Sequence, residues 1–145
     1  MTKLEATDAQ VESLQAILGQ HQELYSTAMA RRYKRRESYF QQQRWLTTCW
    51  KKRWPLLNAA SAQRTIWMLD GQFRKAFAGG GWPVSWHQPH GFSYTAGNGI
   101  QVNGRWVRIQ HVGHIELNAP LRQEAGFVSI IRRPTGWYLQ TGEAR

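Results

Sequence analysis

The chain has 145 residues, 41% of them hydrophobic, and a formal charge of +10. That length can bury a sizeable core in one domain or two small ones, and the apolar fraction excludes global disorder. The single cysteine, Cys49, excludes an internal disulfide and a cysteine zinc knuckle. Met1–Ala16 lacks the apolar core of a signal peptide, and no run approaches the ~18 apolar residues of a membrane span, so a soluble, cytoplasmic protein without membrane partners is expected.

The first half reads as helical. Thr7-Asp8-Ala9-Gln10 has the pattern of a capping box, and Val11, Leu14, Leu18, Tyr25 and Ala28 then recur at helical spacing, with Ile17 and Leu24 widening the stripe. This predicts a helix running to about Arg36, with Arg31, Arg32, Lys34, Arg35 and Arg36 near its C-terminus, where the helix dipole favours cations. A second helix is predicted over Tyr39 to about Lys52, with Phe40, Trp45 (or Leu46) and Cys49 inward and Pro55 as its stop. A third is predicted from an N-cap at Ser61, burying Ile66, Leu69, Phe73 and Phe77, and ending at Gly79-Gly80-Gly81 before Pro83. Three or four helices in a basic bundle over 1–78 are the expectation.

After Gly79 the pattern changes. A linker over 79–91 leads into short β-prone runs over 92–145, separated by turn residues. Asn103-Gly104 reads as a type I′ turn joining Gly99–Val102 to Arg105–Gln110. Further runs are His114–Leu117, Gly126–Arg132 and Trp137–Gln140, the last two joined across Pro134-Thr135-Gly136. The fold class expected is α+β, a helical bundle followed by a small antiparallel β-barrel.

The charge belongs to the first half. Between Arg31 and Lys75 stand twelve Lys/Arg against Glu37 and Asp70, whereas the rest of the chain carries seven charges of each sign. Arg31, Arg32, Lys34, Arg35, Arg36, Arg44, Lys51, Lys52, Arg53, Arg64, Arg74 and Lys75 are therefore candidate phosphate contacts, against the plainer alternative of a solvated helix face. Trp45 is expected to be mostly buried. Trp50 and Trp54 flank Lys51-Lys52-Arg53 and are divided between base stacking and packing, while Trp106 and Trp137 read as packing residues. Ser61, Gln63 and Arg64, on the first turns of the third helix, are candidates for reading base edges, since Gln pairs with adenine and Arg with guanine in the major groove.

The histidines His87, His90, His111 and His114 could be drawn as a zinc site. An i, i+3 pair on a strand points to opposite faces, however, and no metal or cofactor is expected. Dispersed acids, no phosphate-loop spacing and no signature around Cys49 exclude the common catalytic motifs, so the chain reads as a non-enzyme.

Asp8-Ala9-Gln10 with its leucine-rich helix and Tyr25, Ser61-Ala62-Gln63 leading to Leu69-Asp70, Phe73 and Ala76-Phe77, and Gly81-Trp82-Pro83 form an ordered series. It continues through Phe92-Ser93-Tyr94, Asn103-Gly104-Arg105, Val112-Gly113 and Gly136-Trp137-Tyr138. The series resembles the N-terminal part of TnpB/OrfB proteins, transposon-encoded RNA-guided nucleases related to type V CRISPR effectors. Family members open with a β-strand, for which Met1–Ala6 reads as too short and polar, and Gln110 stands where a proline is common. The chain ends after Trp137-Tyr138, where the family's RuvC nuclease domain begins. The resemblance thus implies a recognition bundle (helix-turn-helix-like) and a wedge-like, OB-like barrel without the nuclease. Its implied partners are a guide-type noncoding RNA, double-stranded DNA beside the target, and a RuvC-bearing subunit. The alternatives are a helix-turn-helix DNA-binding transcriptional regulator that needs no RNA, or a structural partner subunit.

Overall fold

A computed structural model describes residues 1–84, 88–121 and 126–142. In chain order the elements are β1 (Thr2–Glu5), α1 (Asp8–Arg35), α2 (Tyr39–Arg53), α3 (Ala59–Phe77), β2 (Gly91–Thr95), β3 (Ile100–Ile109), β4 (Gly113–Leu121), β5 (Phe127–Arg133) and β6 (Gly136–Gly142). The fold is α+β, with three helices and a six-stranded antiparallel sheet among the described residues. They form two compact units, Met1–Leu18 with His90–Arg145, and Gly19–Pro89. Helix α1 runs through the boundary between them. No helix among the described residues is long and apolar enough to cross a membrane.

The sheet has the order β2-β5-β6-β1-β4-β3 and curls into a half-barrel whose ends are β2 and β3. Its least expected member is β1. Thr2-Lys3-Leu4-Glu5 is short and half polar, yet it lies inside the sheet, with Leu4 opposite Leu117 of β4 and Thr2 opposite Leu139 of β6. Thr2 and Leu4 are buried while Glu5 is exposed. Two partner strands hold it, so its stability is tertiary and leaves little trace in local composition. The Lys3 N–H also donates to Asn118 Oδ1 at 3.1 Å. The start of α1 is fixed as its residues predict. Gln10 N–H donates to Thr7 Oγ1 at 3.2 Å, and Thr7 N–H donates to Gln10 Oε1 at 3.0 Å. Gln10 Nε2 also donates to His114 O on β4 at 2.7 Å.

β3 is not one straight strand. Ten extended residues span roughly 33 Å, yet the Gln110 N–H donates to Gly99 O at 2.8 Å. The element folds back midway, between Gly104 and Arg105, and the burial of Ile100, Val102, Val107 and Ile109 is symmetric about that point. Gly104 has φ +62°, whereas Asn103 has no positive φ. The expected hairpin is therefore present, but its turn is not type I′ on Asn103-Gly104. A single left-handed glycine at the first central position suits type II′ instead.

In the helical unit, α2 starts at a Ser38–Gln41 capping box. Gln42 and Leu46 form its buried face, with Gln42 Nε2 donating to Ala28 O of α1 at 2.7 Å. Phe40, expected inward, is 73% exposed. The hydrogen bond to a helix carbonyl lets glutamine occupy the core and turns the phenylalanine out. Helix α3 begins three residues earlier than expected, because Asn58 is the N-cap and accepts from the Ala60 and Ser61 N–H groups. Its buried face includes Ala62, Ile66, Leu69 and Phe73, but Phe77 lies exposed. The helix ends in a Schellman motif. Gly80 N–H donates to Lys75 O at 2.8 Å and Gly79 N–H to Ala76 O at 3.0 Å, with Gly79 at φ +100°. Replacing the cap by alanine (Asn58→Ala) is expected to cost about 1 kcal/mol, measured as a shift of the urea midpoint at unchanged m-value.

Candidate nucleic-acid interface

The helical unit gathers the charge. Gly19–Pro89 holds twelve Lys/Arg against three acids, net +9, while the other unit holds seven against six, net +1. Both acids of the Arg31–Lys75 segment are already neutralised. Glu37 accepts two hydrogen bonds from Arg31, Nε to Oε1 and Nη2 to Oε2, each at 2.8 Å. These bonds hold the Glu37 carboxyl below its usual range. Asp70 accepts from Arg32 Nη2 at 2.6 Å and faces Arg74 Nε at 3.1 Å.

This pairing sorts the candidate cations. Arg31 and Arg32 are half-buried and committed to carboxylates, and they also stack, Arg31 over Trp45 at 4.4 Å and Arg32 over Phe73 at 4.9 Å. Arg31 ties the end of α1 to Glu37 just after it and Arg32 ties it to Asp70 on α3, so they are structural residues before they are ligands. Arg64 is half-buried too, with its guanidinium 4.0 Å from the centre of the Trp67 ring. Lys34, Arg35, Arg36, Arg44, Lys51, Lys52, Arg53, Arg74 and Lys75 are exposed. Such cations can replace the counterions of a phosphate backbone.

Two candidates fall away as nucleic-acid contacts. Trp54 is fully buried, edge-on to Trp45 with ring centres 5.8 Å apart, so it packs and cannot stack on a base. Ser61 is also buried, its Oγ 3.1 Å from Nε2 of the buried His21, whose Nδ1 lies 2.7 Å from Thr65 Oγ1. A side chain in that internal triad cannot reach a base edge. Gln63 remains exposed, while Trp45, Trp50 and Cys49 are half-buried. Burial pushes the Cys49 thiol up, away from a reactive thiolate.

On the sheet, Trp137 is buried as expected, whereas Trp106 is exposed. His90, His111 and His114 are exposed, and His87 lies outside the described residues. No group of three or more His, Cys, Asp or Glu among the described residues is placed to hold a metal ion.

The aromatic residues that do reach the surface of the helical unit were not the expected ones. Trp67 on α3 is 42% exposed and lies between Arg64 and Arg74. Tyr33, Phe77 and Trp82 are exposed near the C-terminal ends of α1 and α3. Trp67 could have been found from phase alone, since it falls one residue off the Ile66-Leu69-Phe73 stripe and so points away from the core. Trp82 could not, because only the Schellman turn determines where it returns. No protein-family model matches the chain, and no curated protein matches it.

Proposed function

We propose that the helical unit is a nucleic-acid-binding surface, and that the chain is the non-catalytic recognition module of a TnpB-like RNA-guided system. In that system it would hold guide RNA and target-adjacent duplex DNA. The observation that carries the first part is the set of nine exposed cations around carboxylates already neutralised by internal arginines. A solvated surface carrying charges of both signs would show acids in comparable number; this unit exposes one acid, Glu23, against nine cations, a nearly uncompensated positive field. The second part rests on the ordered motif resemblance. β1 supports it, because it supplies the opening strand that the residues alone lacked. The half-barrel supports the wedge-like reading in the same way. In this role base pairing supplies most of the specificity, and the protein reads backbone shape and a short duplex motif.

The test is to purify the chain and sequence whatever nucleic acid accompanies it, then measure affinity against salt. A defined noncoding RNA is expected, with affinity for it falling about 10³-fold or more from 50 to 200 mM salt if six or more phosphates are engaged. Salt-insensitive binding, or none, would sink the nucleic-acid reading. Duplex DNA bound by a dimer without RNA would move the function to a helix-turn-helix regulator, and random RNA would remove the guided part.

A further inference from the structure

A cavity of about 550 Å³ opens in the helical unit between the end of α1, the end of α3 and the segment after it. Phe73 is buried there, and Tyr33 (50% exposed), Phe77 (78%) and Trp82 (49%) surround it with reachable rings. The rings are fixed against one another. Tyr33 and Phe73 lie 5.3 Å apart, Phe77 and Trp82 stand edge-to-face at 5.2 Å, and Phe73 and Trp82 do so at 6.1 Å. Tyr33 Oη donates to Pro83 O at 2.7 Å, which pins the returning segment and with it Trp82. The volume lies within the range of small-molecule sites, and exposed aromatic groups of this size seldom stand together without a partner.

The rim is cationic through Arg36, which lines the cavity, and Lys34 and Arg35 are exposed on the last turn of α1; the other lining arginine, Arg32, is committed to Asp70. The one lining carboxylate, Glu37, is neutralised by Arg31. Arg36 itself has φ +52°, a left-handed conformation that glycine or asparagine adopts far more readily, and its N–H donates to Arg32 O at 2.9 Å. Glycine would relieve the backbone there, so the Arg36 side chain can be removed without backbone cost. An apolar peptide would satisfy the rings but leave the rim without a counter-charge. A flat ring carried on an anionic backbone satisfies both.

We propose that this cavity binds one unpaired nucleobase of a single-stranded nucleic acid, stacked against Trp82 or Phe77, with its phosphate on Arg36. The assignment rests on the nucleic-acid reading above, and adds to it a site that selects single strands over duplex. The test compares fluorescence-labelled twelve-nucleotide RNA and DNA single strands, a duplex, and an abasic chain of equal charge, using the full chain. The wild type is expected to bind either single strand about tenfold more tightly than the abasic chain. A preference for RNA over DNA would place the site on RNA, and equal binding would assign it to single strands of either kind. Trp82→Ala and Phe77→Ala should each remove most of that preference while leaving duplex affinity and the salt slope unchanged, and Trp82→Phe should restore it. Arg36→Gly should weaken single-strand binding without lowering the melting temperature, which a merely structural arginine would not do. Preference for bases that survives both alanine variants, or loss shared equally by duplex and abasic chain, overturns the site. Absence of salt-sensitive binding to every probe by the wild type instead overturns the nucleic-acid reading on which it rests.

Discussion

Lowering the pH from 7 to 5 is expected to remove about 2 kcal/mol of folding stability through one side chain, His21. The imidazole is fully buried, and both ring nitrogens meet hydroxyls, Thr65 Oγ1 at 2.7 Å and Ser61 Oγ at 3.1 Å. Burial disfavours the imidazolium and lowers its pKa from 6.5 to about 3. Between those values the unfolded chain binds a proton that the folded chain does not. Stability therefore rises with pH across the window, is fully present above about 6.5, and is lost progressively as pH falls towards 3. The Glu37 carboxyl is also shifted downward, but the stability it contributes is present above its ordinary value of 4.5 and is lost only as pH falls below it. Urea denaturation at pH 7, 6 and 5 isolates His21 from it. His21→Gln should lose about 1–3 kcal/mol at pH 7, since the core repacks around an amide in place of the imidazole, yet show a flat profile from pH 7 to 5. A variant that keeps the wild-type slope would assign the acid sensitivity to another group.

The same triad shows what the residues alone could and could not reveal. Helix existence and the change to strands after Gly79 are local properties, and the Thr7–Gln10 cap, Leu69, Phe73 and the presence of the Gly99–Gln110 hairpin, though not its turn type, follow from spacing and turn residues. Partners distant in sequence are not local. Ser61 has the chemistry of an N-cap, but Asn58 caps one turn earlier and His21, forty residues away, takes the hydroxyl into the core. Trp54 follows three cations and could have faced a base, yet its edge contact with Trp45 buries it. Phe40 and Phe77 keep helical phase with buried residues but lie on the margin of the stripe, where a few tens of degrees decide exposure. β1 was illegible for the opposite reason, since four residues are too few for a period to register. At the candidate interface the cations were legible as a class. Their division into structural pairs and free charges was not, because it depends on where Glu37 and Asp70 come to rest.

That division determines which substitutions can test the interface. Charge reversal at Arg31 would set a carboxylate against Glu37, and at Arg32 against Asp70, which would then keep only the exposed Arg74, so lost binding there would report lost structure. Lys34, Arg35, Lys51 and Lys52 are exposed and outside these pairs. Replacing all four by glutamine keeps helix propensity and removes four positive charges, at a cost of a few tenths of a kcal/mol each where they oppose a helix C-terminus. If each contacts a duplex phosphate, the slope of log affinity against log salt should fall by about 3.6, and affinity at 0.1 M salt by about 10³-fold or more. The comparison is Arg132→Gln with Arg133→Gln, two exposed cations on β5 in the unit of net charge +1. They are expected to change the slope by well under one unit. Anisotropy titrations of one duplex and one structured RNA at four salt concentrations measure both. If the β5 pair lowers the slope as far per charge as the helical four, the contact surface is not confined to the helical unit. If neither set moves it, Lys34, Arg35, Lys51 and Lys52 are a solvated face and are struck from the interface, and a wild-type slope near zero removes the nucleic-acid reading with them.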